Sequence, residues 1–188
     1  APRLETCRSV SDDAAAPGVI SDEFAGRVVL VTGSSSGIGE QIAKRFSALG
    51  ATVVVNSSSS VEAGQRVRDE LPGESIYVQA DISDPAQCQS LIDAVIATYG
   101  RLDVLVNNAG WTARIDHRDL DAVTDEIFRK TFEVNVFGTW NLTKAAMPHL
   151  KQSDDGNVVT ISSVAGVRPV GSSPPRRLTR EIQHDLLP

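Results

Sequence analysis

The chain has 188 residues, a length that suits one domain with a sizeable hydrophobic core. Hydrophobic residues make up 41% and charged residues 22%, as is typical of soluble globular proteins, and the formal net charge is −6. This acidic balance argues against a nucleic-acid or anionic-membrane partner, and no apolar run approaches the roughly 20 residues that span a bilayer.

Residues 1–25 show no sustained periodicity and are rich in Ser, Asp, Ala and Pro. We interpret them as a disordered extension, and the initial Ala indicates a processed or partial chain. Cys7 lies in this extension, whereas Cys88 falls in phase with apolar helix residues and is expected to be a buried thiol. Two cysteines form no disulfide framework, which favours a reducing, cytoplasmic location. No metal site is predicted, because the three histidines are scattered.

The apolar run Val28–Val31 predicts a buried strand, and the segment T-G-S-S-S-G-I-G follows it directly. Gly33 permits a tight turn, Gly37 lets a ligand approach the backbone, and Gly39 lets helix and strand pack closely. The unpaired N–H groups and the positive end of the following helix would hold a pyrophosphate, although a ligand-free Gly/Ser loop is the alternative. The candidate residues are Thr32, Gly33, Ser34, Ser35, Ser36, Gly37, Ile38 and Gly39.

Strand and helix patterns then alternate along the chain. Strands are predicted at Thr52–Val55, Ser75–Gln79, Leu102–Val106 and Asn157–Ile161, and helices at Ile38–Leu49, 59–71, 85–99 and about 124–150. A capping box is expected at Ser59–Glu62, and an N-cap at Asp84. This alternation predicts a doubly wound α/β fold over residues 26–170, with a parallel sheet covered on both faces and ligands at the carboxyl ends of the strands.

Five ordered motifs in this chain resemble those of the short-chain dehydrogenase/reductase family. Besides the glycine segment, they are Ala80-Asp81-Ile82, N-N-A-G at 107–110, V-N-V at 134–136 and I-S-S-V-A-G at 161–166. The resemblance implies a Rossmann-like three-layer fold, an NAD(P) cofactor, and hydride transfer to or from a carbonyl or alcohol substrate. It also implies that Asp81 and Ile82 flank the adenine and that Asn108, Ala109 and Gly110 line the cofactor cleft. The alternative for Asp81 is a solvated carboxylate at a strand end.

The end of the second strand, about 20 residues after the first glycine of such a loop, is where a carboxylate would bind the ribose 2′-OH of NAD. This chain has Asn56 and four serines there, with Ser58 among them. No carboxylate is present to repel a 2′-phosphate, which favours NADP over NAD. Arg66 lies a helical turn or more further on, so no arginine is expected to bind that phosphate. A flexible polar turn is the alternative interpretation of the serines.

The resemblance also implies catalytic roles for Asn135, which would hold an ordered water, and for Ser163, which would orient the substrate oxygen. The family's Tyr-x-x-x-Lys unit, about a dozen residues later, is absent. Counting 13 residues on from Ser163 gives Arg176, and four more give Arg180. Because arginine does not give up a proton near neutral pH, the chain is expected to be a poor catalyst or none.

Residues 171–188 do not resemble the family and are predicted to form an irregular tail, because Pro174-Pro175 disfavours a helix start. The fold is therefore expected to be incomplete at its C-terminus, through a frameshift, an alternative exon or a truncated gene. The fifth strand would then form an exposed edge, and self-association is expected through that edge or through the long helix around Asn135. Three functional hypotheses stay open: an oxidoreductase, a nucleotide-binding module without turnover, and a non-functional fragment.

Overall fold

A computed structural model describes residues 21–116, 119–164 and 174–186. Most of the predicted extension, residues 1–20, lies outside these described residues. Its last part is already packed: Ser21 N–H donates to the carbonyl of Ala48 at 2.9 Å, and the Phe24 ring contacts the Phe46 ring edge-on with centroids 5.0 Å apart. The folded part therefore includes Ser21–Ala25, which the sequence pattern had assigned to the extension.

The core of the fold is a five-stranded parallel sheet with the strand order β3-β2-β1-β4-β5. The strands are β1 Val28–Val31, β2 Thr52–Ser57, β3 Ser75–Gln79, β4 Val104–Asn107 and β5 Asn157–Thr160. The helices are α1 Gly37–Ala48, α2 Val61–Glu70, α3 Pro85–Tyr99, α4 Asp125–Phe132, α5 Thr139–Leu150 and α6 Pro174–Leu186, with a π-helical segment at Glu133–Gly138. The doubly wound parallel α/β fold predicted from the sequence is confirmed, and the strand order reverses at β1.

Alternation of side chains along the fully buried β1 builds the core on both faces of the sheet. Leu30 packs in one cluster with Leu91 of α3 and Leu142 of α5. Val31 packs in the other cluster with Val67 of α2. Helices therefore cover both faces, and the polar ends of the strands are left as the place where a ligand can enter.

The predicted signals around α3 are confirmed. The Asp84 carboxylate caps the helix by accepting the Ala86 N–H at 2.8 Å, and Gly100 ends the helix in the left-handed region at φ +71°. Cys88 is buried, as expected, and its thiol donates to the carbonyl of Ile82 at 3.2 Å. Burial and the charges of the nearby Asp84 and Asp81 raise the pKa of this thiol to about 11, so it is a poor nucleophile.

The predicted helical stretch of about 124–150 is present, and its middle part is the π-helical segment, where a side chain at Gly138 would lie only 2.8 Å from the carbonyl oxygen of Ile82. Two local predictions need correction. The capping box does not form, since α2 begins at Val61 and no side-chain cap is made at Ser60. The tail is not wholly irregular, because α6 starts at Pro174. Proline fits a first helical turn, whose N–H groups have no partner within the helix anyway.

No helix among the described residues has both the length and the apolar composition needed to cross a bilayer.

Candidate nucleotide-binding cleft

Side-chain hydrogen bonds of Thr32 and Asn108 hold the turn between β1 and α1 in place. Thr32 is fully buried, and its hydroxyl donates to the carbonyl of Val106 at 3.3 Å while it accepts the N–H groups of Asn108 and Ala109, each at 3.0 Å. The Asn108 amide in turn donates to the carbonyls of Thr32 at 2.9 Å and Gly33 at 3.1 Å. These bonds tie the turn after β1 to the loop after β4.

The glycines of this turn are required for two different reasons. Gly33 and Gly37 both have φ of +61°, a conformation that side chains disfavour. Gly39 is required by space, because a methyl group there would lie 2.4 Å from the Asn108 side-chain nitrogen and 2.5 Å from the carbonyl oxygen of Gly33. The close helix–strand packing predicted for Gly39 is therefore present, and it brings the start of α1 to the edge of the sheet.

Asn56 is the residue that joins β2 to both of its neighbours at this end of the sheet. Its amide nitrogen donates to the carbonyls of Val78 and Ala80, each at 3.1 Å, and its side-chain oxygen accepts the Gly33 N–H at 3.4 Å. Its backbone N–H donates to the Ser34 hydroxyl at 3.0 Å. The sequence pattern placed Asn56 at the cofactor-selecting position but did not reveal this structural role, which depends on residues more than 20 positions away.

An open cleft of about 560 Å³ lies above these bonds, at the carboxyl ends of the strands. Nine of the predicted cofactor residues line it: Gly33, Ser35, Ser36, Ser58, Asp81, Ile82, Asn108, Ala109 and Gly110. The others are not part of the lining. Thr32 and Gly39 support the turn from beneath, and the Ser34 hydroxyl is used inside the fold, where it donates to the carbonyl of Val31 at 2.7 Å. Gly37 and Ile38 form the start of α1, with the Ile38 side chain exposed.

Serine residues at the end of β2 and directly after it line the cleft. Ser57 and Ser58 both line it, with the Ser57 hydroxyl 2.9 Å from the Tyr77 hydroxyl. Arg66 is directed away, as part of an ion-pair network on the outer surface of α1 and α2, where its guanidinium lies 2.9 Å from Glu70 and 3.4 Å from Glu40.

At the end of β3, the Asp81 carboxylate accepts hydrogen bonds from the backbone N–H of Ser83 at 2.9 Å and from its hydroxyl at 2.8 Å. The Asp81 side chain thus shapes the loop as well as lining the cleft. On the opposite wall, Lys130 of α4 places its ammonium 4.7 Å from the centroid of the Trp111 ring. Sequence analysis missed Lys130, which brings a positive charge to the cleft lining.

The two predicted catalytic residues lie beyond the lining of the cleft. Asn135 is buried in the π-helical segment, where its side-chain oxygen accepts the Trp111 N–H at 2.8 Å. Its amide nitrogen donates to the carbonyl of Trp111 at 3.0 Å and to the hydroxyl of Thr179 at 3.2 Å. Ser163 follows β5 and is partly buried. Asn135 therefore joins the loop after β4 to α6.

Arg180 of α6 reaches into the same region and is only 8% exposed. Its Nη1 donates to the carbonyl of Ile161 at 2.6 Å, and a methyl group at Gly110 would lie 2.9 Å from its Nη2. The Ser162 hydroxyl donates to the backbone carbonyl of Arg180 at 3.4 Å. Burial and the charge of Arg176 lower the pKa of Arg180 from its ordinary value. Counting from Ser163 singles out this position in the sequence, but the closeness of Arg180 to Gly110 is visible only in the fold.

Comparison with known proteins places these features in context. The sequence profile described as short chain dehydrogenase matches residues 27–175. A proposed ketoacyl reductase of the granaticin polyketide synthase from Streptomyces violaceoruber is 55% identical over 148 residues, which are 79% of this chain and 59% of that protein. L-fucose dehydrogenase from Bos taurus is 38% identical over 143 residues, covering 76% of this chain and 51% of the relative.

A similar solved structure is that of a short chain dehydrogenase from Burkholderia cenocepacia in complex with NADP. It matches with a TM-score of 0.80 and 33% identity, and the match covers 87% of this chain and 66% of that one. This chain thus spans only between about half and two thirds of the length of these three proteins.

Proposed function

This chain belongs to the short-chain dehydrogenase family, and on that premise we propose that its cleft binds the adenosine end of a nicotinamide adenine dinucleotide, NADP in preference to NAD. The reaction proposed for the whole protein is hydride transfer between that cofactor and a carbonyl or alcohol carbon of a small molecule. The names of two relatives, a ketoacyl reductase and an L-fucose dehydrogenase, support this reaction class. A cytoplasmic location is part of the same proposal.

The observation that carries the proposal is the backbone cradle at the start of α1. Gly33 and Gly37 turn the chain through left-handed conformations, and Gly39 lets α1 pack directly against the turn. The first N–H groups of a helix lack partners within it, and the helix dipole adds positive potential there. This cradle lies beside a cleft of about 560 Å³, so the residues present fit the diphosphate of such a cofactor.

The preference for NADP rests on the end of β2. Ser57 and Ser58 line the cleft there, and no carboxylate occupies the positions from Asn56 to Ser60. A carboxylate would bind the ribose 2′-OH of NAD and repel a 2′-phosphate. The neighbour solved in complex with NADP supports the same choice.

We propose a nucleotide-binding role without turnover for this chain itself. At the two positions where the Tyr-x-x-x-Lys unit of the family is expected after Ser163, this chain has Arg176 and Arg180. A guanidinium stays protonated near neutral pH. Neither can act as the general acid or base that hydride transfer to a carbonyl needs. The nicotinamide ring would supply the hydride chemistry. Among the described residues, the positions of Arg176 and Arg180 offer no group that can move the accompanying proton.

Titration with NADPH and NADH, followed by the tryptophan fluorescence of the chain, tests the proposal, since Trp111 lines the cleft. Saturable binding of NADPH, tighter than that of NADH, is expected. Ser58→Asp should weaken NADPH binding by roughly tenfold, since it places a negative charge beside the 2′-phosphate. Ser58→Asn is the matched control, because it has nearly the same shape without the charge and should bind like the wild type. Absence of binding to both nucleotides would refute the proposal, and tighter binding of NADH would refute the NADP preference.

A further inference from the structure

The cleft covers only part of the carboxyl-terminal edge of the sheet. Its lining comes from the ends of β1, β2 and β3 and from the loop Asn108–Trp111 after β4, with Lys130 and Val134 at the far wall. The segment after β5, Ile161–Ser163, contributes nothing to it. A doubly wound sheet binds a dinucleotide across the point where strand order reverses, one nucleotide on each side of β1. On the side of β4 and β5, a side chain of α6 lies beside this lining.

That side chain is Arg180. The Arg180 guanidinium lies beside Gly110, where its Nη2 is 2.9 Å from the place of a Cβ atom, and it donates to the carbonyl of Ile161 at 2.6 Å. It therefore bridges the loop after β4 and the segment after β5. A charge-assisted hydrogen bond of this length is among the stronger polar contacts in proteins, so the side chain is held in place.

Two further contacts fix α6 over the same region. The Asn135 amide donates to the Thr179 hydroxyl at 3.2 Å, and the Ser162 hydroxyl donates to the backbone carbonyl of Arg180 at 3.4 Å. Asn135 and Ser163 lie outside the lining of the cleft. Gly110 thus lines the open cleft on one side and lies beside the Arg180 guanidinium on the other.

We infer that this chain seats only the adenosine-phosphate half of a dinucleotide, and that Arg180 occupies the place beside Gly110 that the nicotinamide nucleotide would need. The inference rests on the proposed function, because it takes the cleft to be the adenosine site. The ligand class it names is the adenosine phosphate itself, with adenosine 2′,5′-bisphosphate as a sufficient representative. The nicotinamide end of a bound NADP stays in solvent.

Calorimetric titration of the full chain with three ligands tests this inference. Adenosine 2′,5′-bisphosphate and NADP⁺ are expected to bind with dissociation constants within about threefold of each other, a difference of less than 1 kcal/mol. Nicotinamide mononucleotide is expected not to bind. Bound NADPH should keep the nicotinamide fluorescence maximum of the free compound, because its ring stays in water.

The variant Arg180→Ala removes the side chain that fills the space. It should raise the affinity for NADP⁺ by at least about tenfold and leave that for adenosine 2′,5′-bisphosphate unchanged. Arg176→Ala is the control, since it removes a guanidinium from the same helix without opening the space beside Gly110. It should bind all three ligands like the wild type.

The possible results separate the inference from the proposed function. Wild-type binding of NADP⁺ at least tenfold tighter than the bisphosphate, or a blue-shifted nicotinamide emission, would overturn the inference while the adenosine site stands. Failure of both NADP⁺ and the bisphosphate to bind would overturn the proposed function and the inference together. The wild-type comparison decides the matter even where Arg180→Ala does not fold.

Discussion

The substitution Gly39→Ala tests the packing on which the phosphate cradle depends. The added methyl group would lie 2.4 Å from the Asn108 side-chain nitrogen and 2.5 Å from the carbonyl oxygen of Gly33, well inside contact distance. Asn108 cannot simply rotate away, because its amide nitrogen donates to the carbonyls of Thr32 and Gly33. Either these two hydrogen bonds break or α1 moves away from the turn.

The magnitude follows from these alternatives. Overpacking of a tight site costs about 1–3 kcal/mol, and the two hydrogen bonds contribute about 0.5–1.5 kcal/mol each. The gain from replacing Gly by Ala within a helix offsets about 0.5–1 kcal/mol of this loss. Taken together, these figures lower the free energy of unfolding by about 1–5 kcal/mol, which corresponds to a drop in Tm of roughly 2–20 °C for a domain of this size.

Urea unfolding and NADPH titration measure the two consequences of Gly39→Ala. We expect nucleotide affinity to fall by at least about tenfold, because the N–H groups at the start of α1 lose their position relative to the turn. Gly100→Ala is the control for backbone strain, since Gly100 has φ +71°, open space around its Cβ position and no part in the cleft. It should lose about 1 kcal/mol of stability and retain full affinity. Wild-type stability and affinity in Gly39→Ala would refute this account of the turn.

Three further substitutions test other parts of the fold. Asn56→Ala removes the amide that donates to two buried carbonyls and should lower stability by about 1–3 kcal/mol with weaker NADPH binding; unchanged urea midpoints would contradict this. Burial raises the pKa of Asp103, but hydrogen bonds led by those from Arg101 outweigh it and lower the pKa. The ionised carboxylate therefore stabilises the fold above its unfolded pKa of about 3.9, and this stability is lost as pH falls through the lower folded value. Asp103→Asn should lose about 1.5–3 kcal/mol at pH 7, with a smaller loss at pH 3, and an equal loss at both pH values in urea unfolding would count against it. We also propose that copies of the chain associate through the exposed aromatic side chains Phe137 (54% exposed) and Trp140 (52% exposed) or through the edge strand β5. Sedimentation velocity should show smaller species for Phe137→Ser than for the wild type. A wild-type chain that is monomeric at all concentrations would oppose the proposal.

The strands were predictable because each is a short apolar run with turn residues on both sides. The bounds of β1 and β3, and those of α3, agree with the predictions, and the role of Gly39 in packing was correctly anticipated. These features are local: apolar periodicity, an N-cap and glycine spacing are all written within about a dozen neighbouring residues. The same is true of the cleft, since its lining follows the ends of the predicted strands.

The features that sequence analysis missed depend on residues far apart in the chain. Asn56 matters because β1 and β3 pair on either side of β2, which brings the carbonyls of Val78 and Ala80 within reach of its amide. The start of α6 at Pro174 was missed because consecutive prolines were interpreted as a helix breaker, which holds for a helix interior and fails for its first turn. The position of Arg180 beside Gly110 depends on how α6 packs against α4 and the π-helical segment.

The contacts around the proposed adenosine site and those that hold Arg180 beside Gly110 are physically separate. The bonds of Thr32, Asn56 and Asn108 all lie among residues 28–109, within the sheet and its loops. The hydrogen bonds that hold α6 instead join it to Asn135 and to the segment after β5. Because none of these hydrogen bonds involves α6 among the described residues, a change in α6 can leave the phosphate cradle intact. A change at Arg180 should therefore act on the nicotinamide end of the ligand alone, which is what makes the comparison of whole and half cofactors decisive.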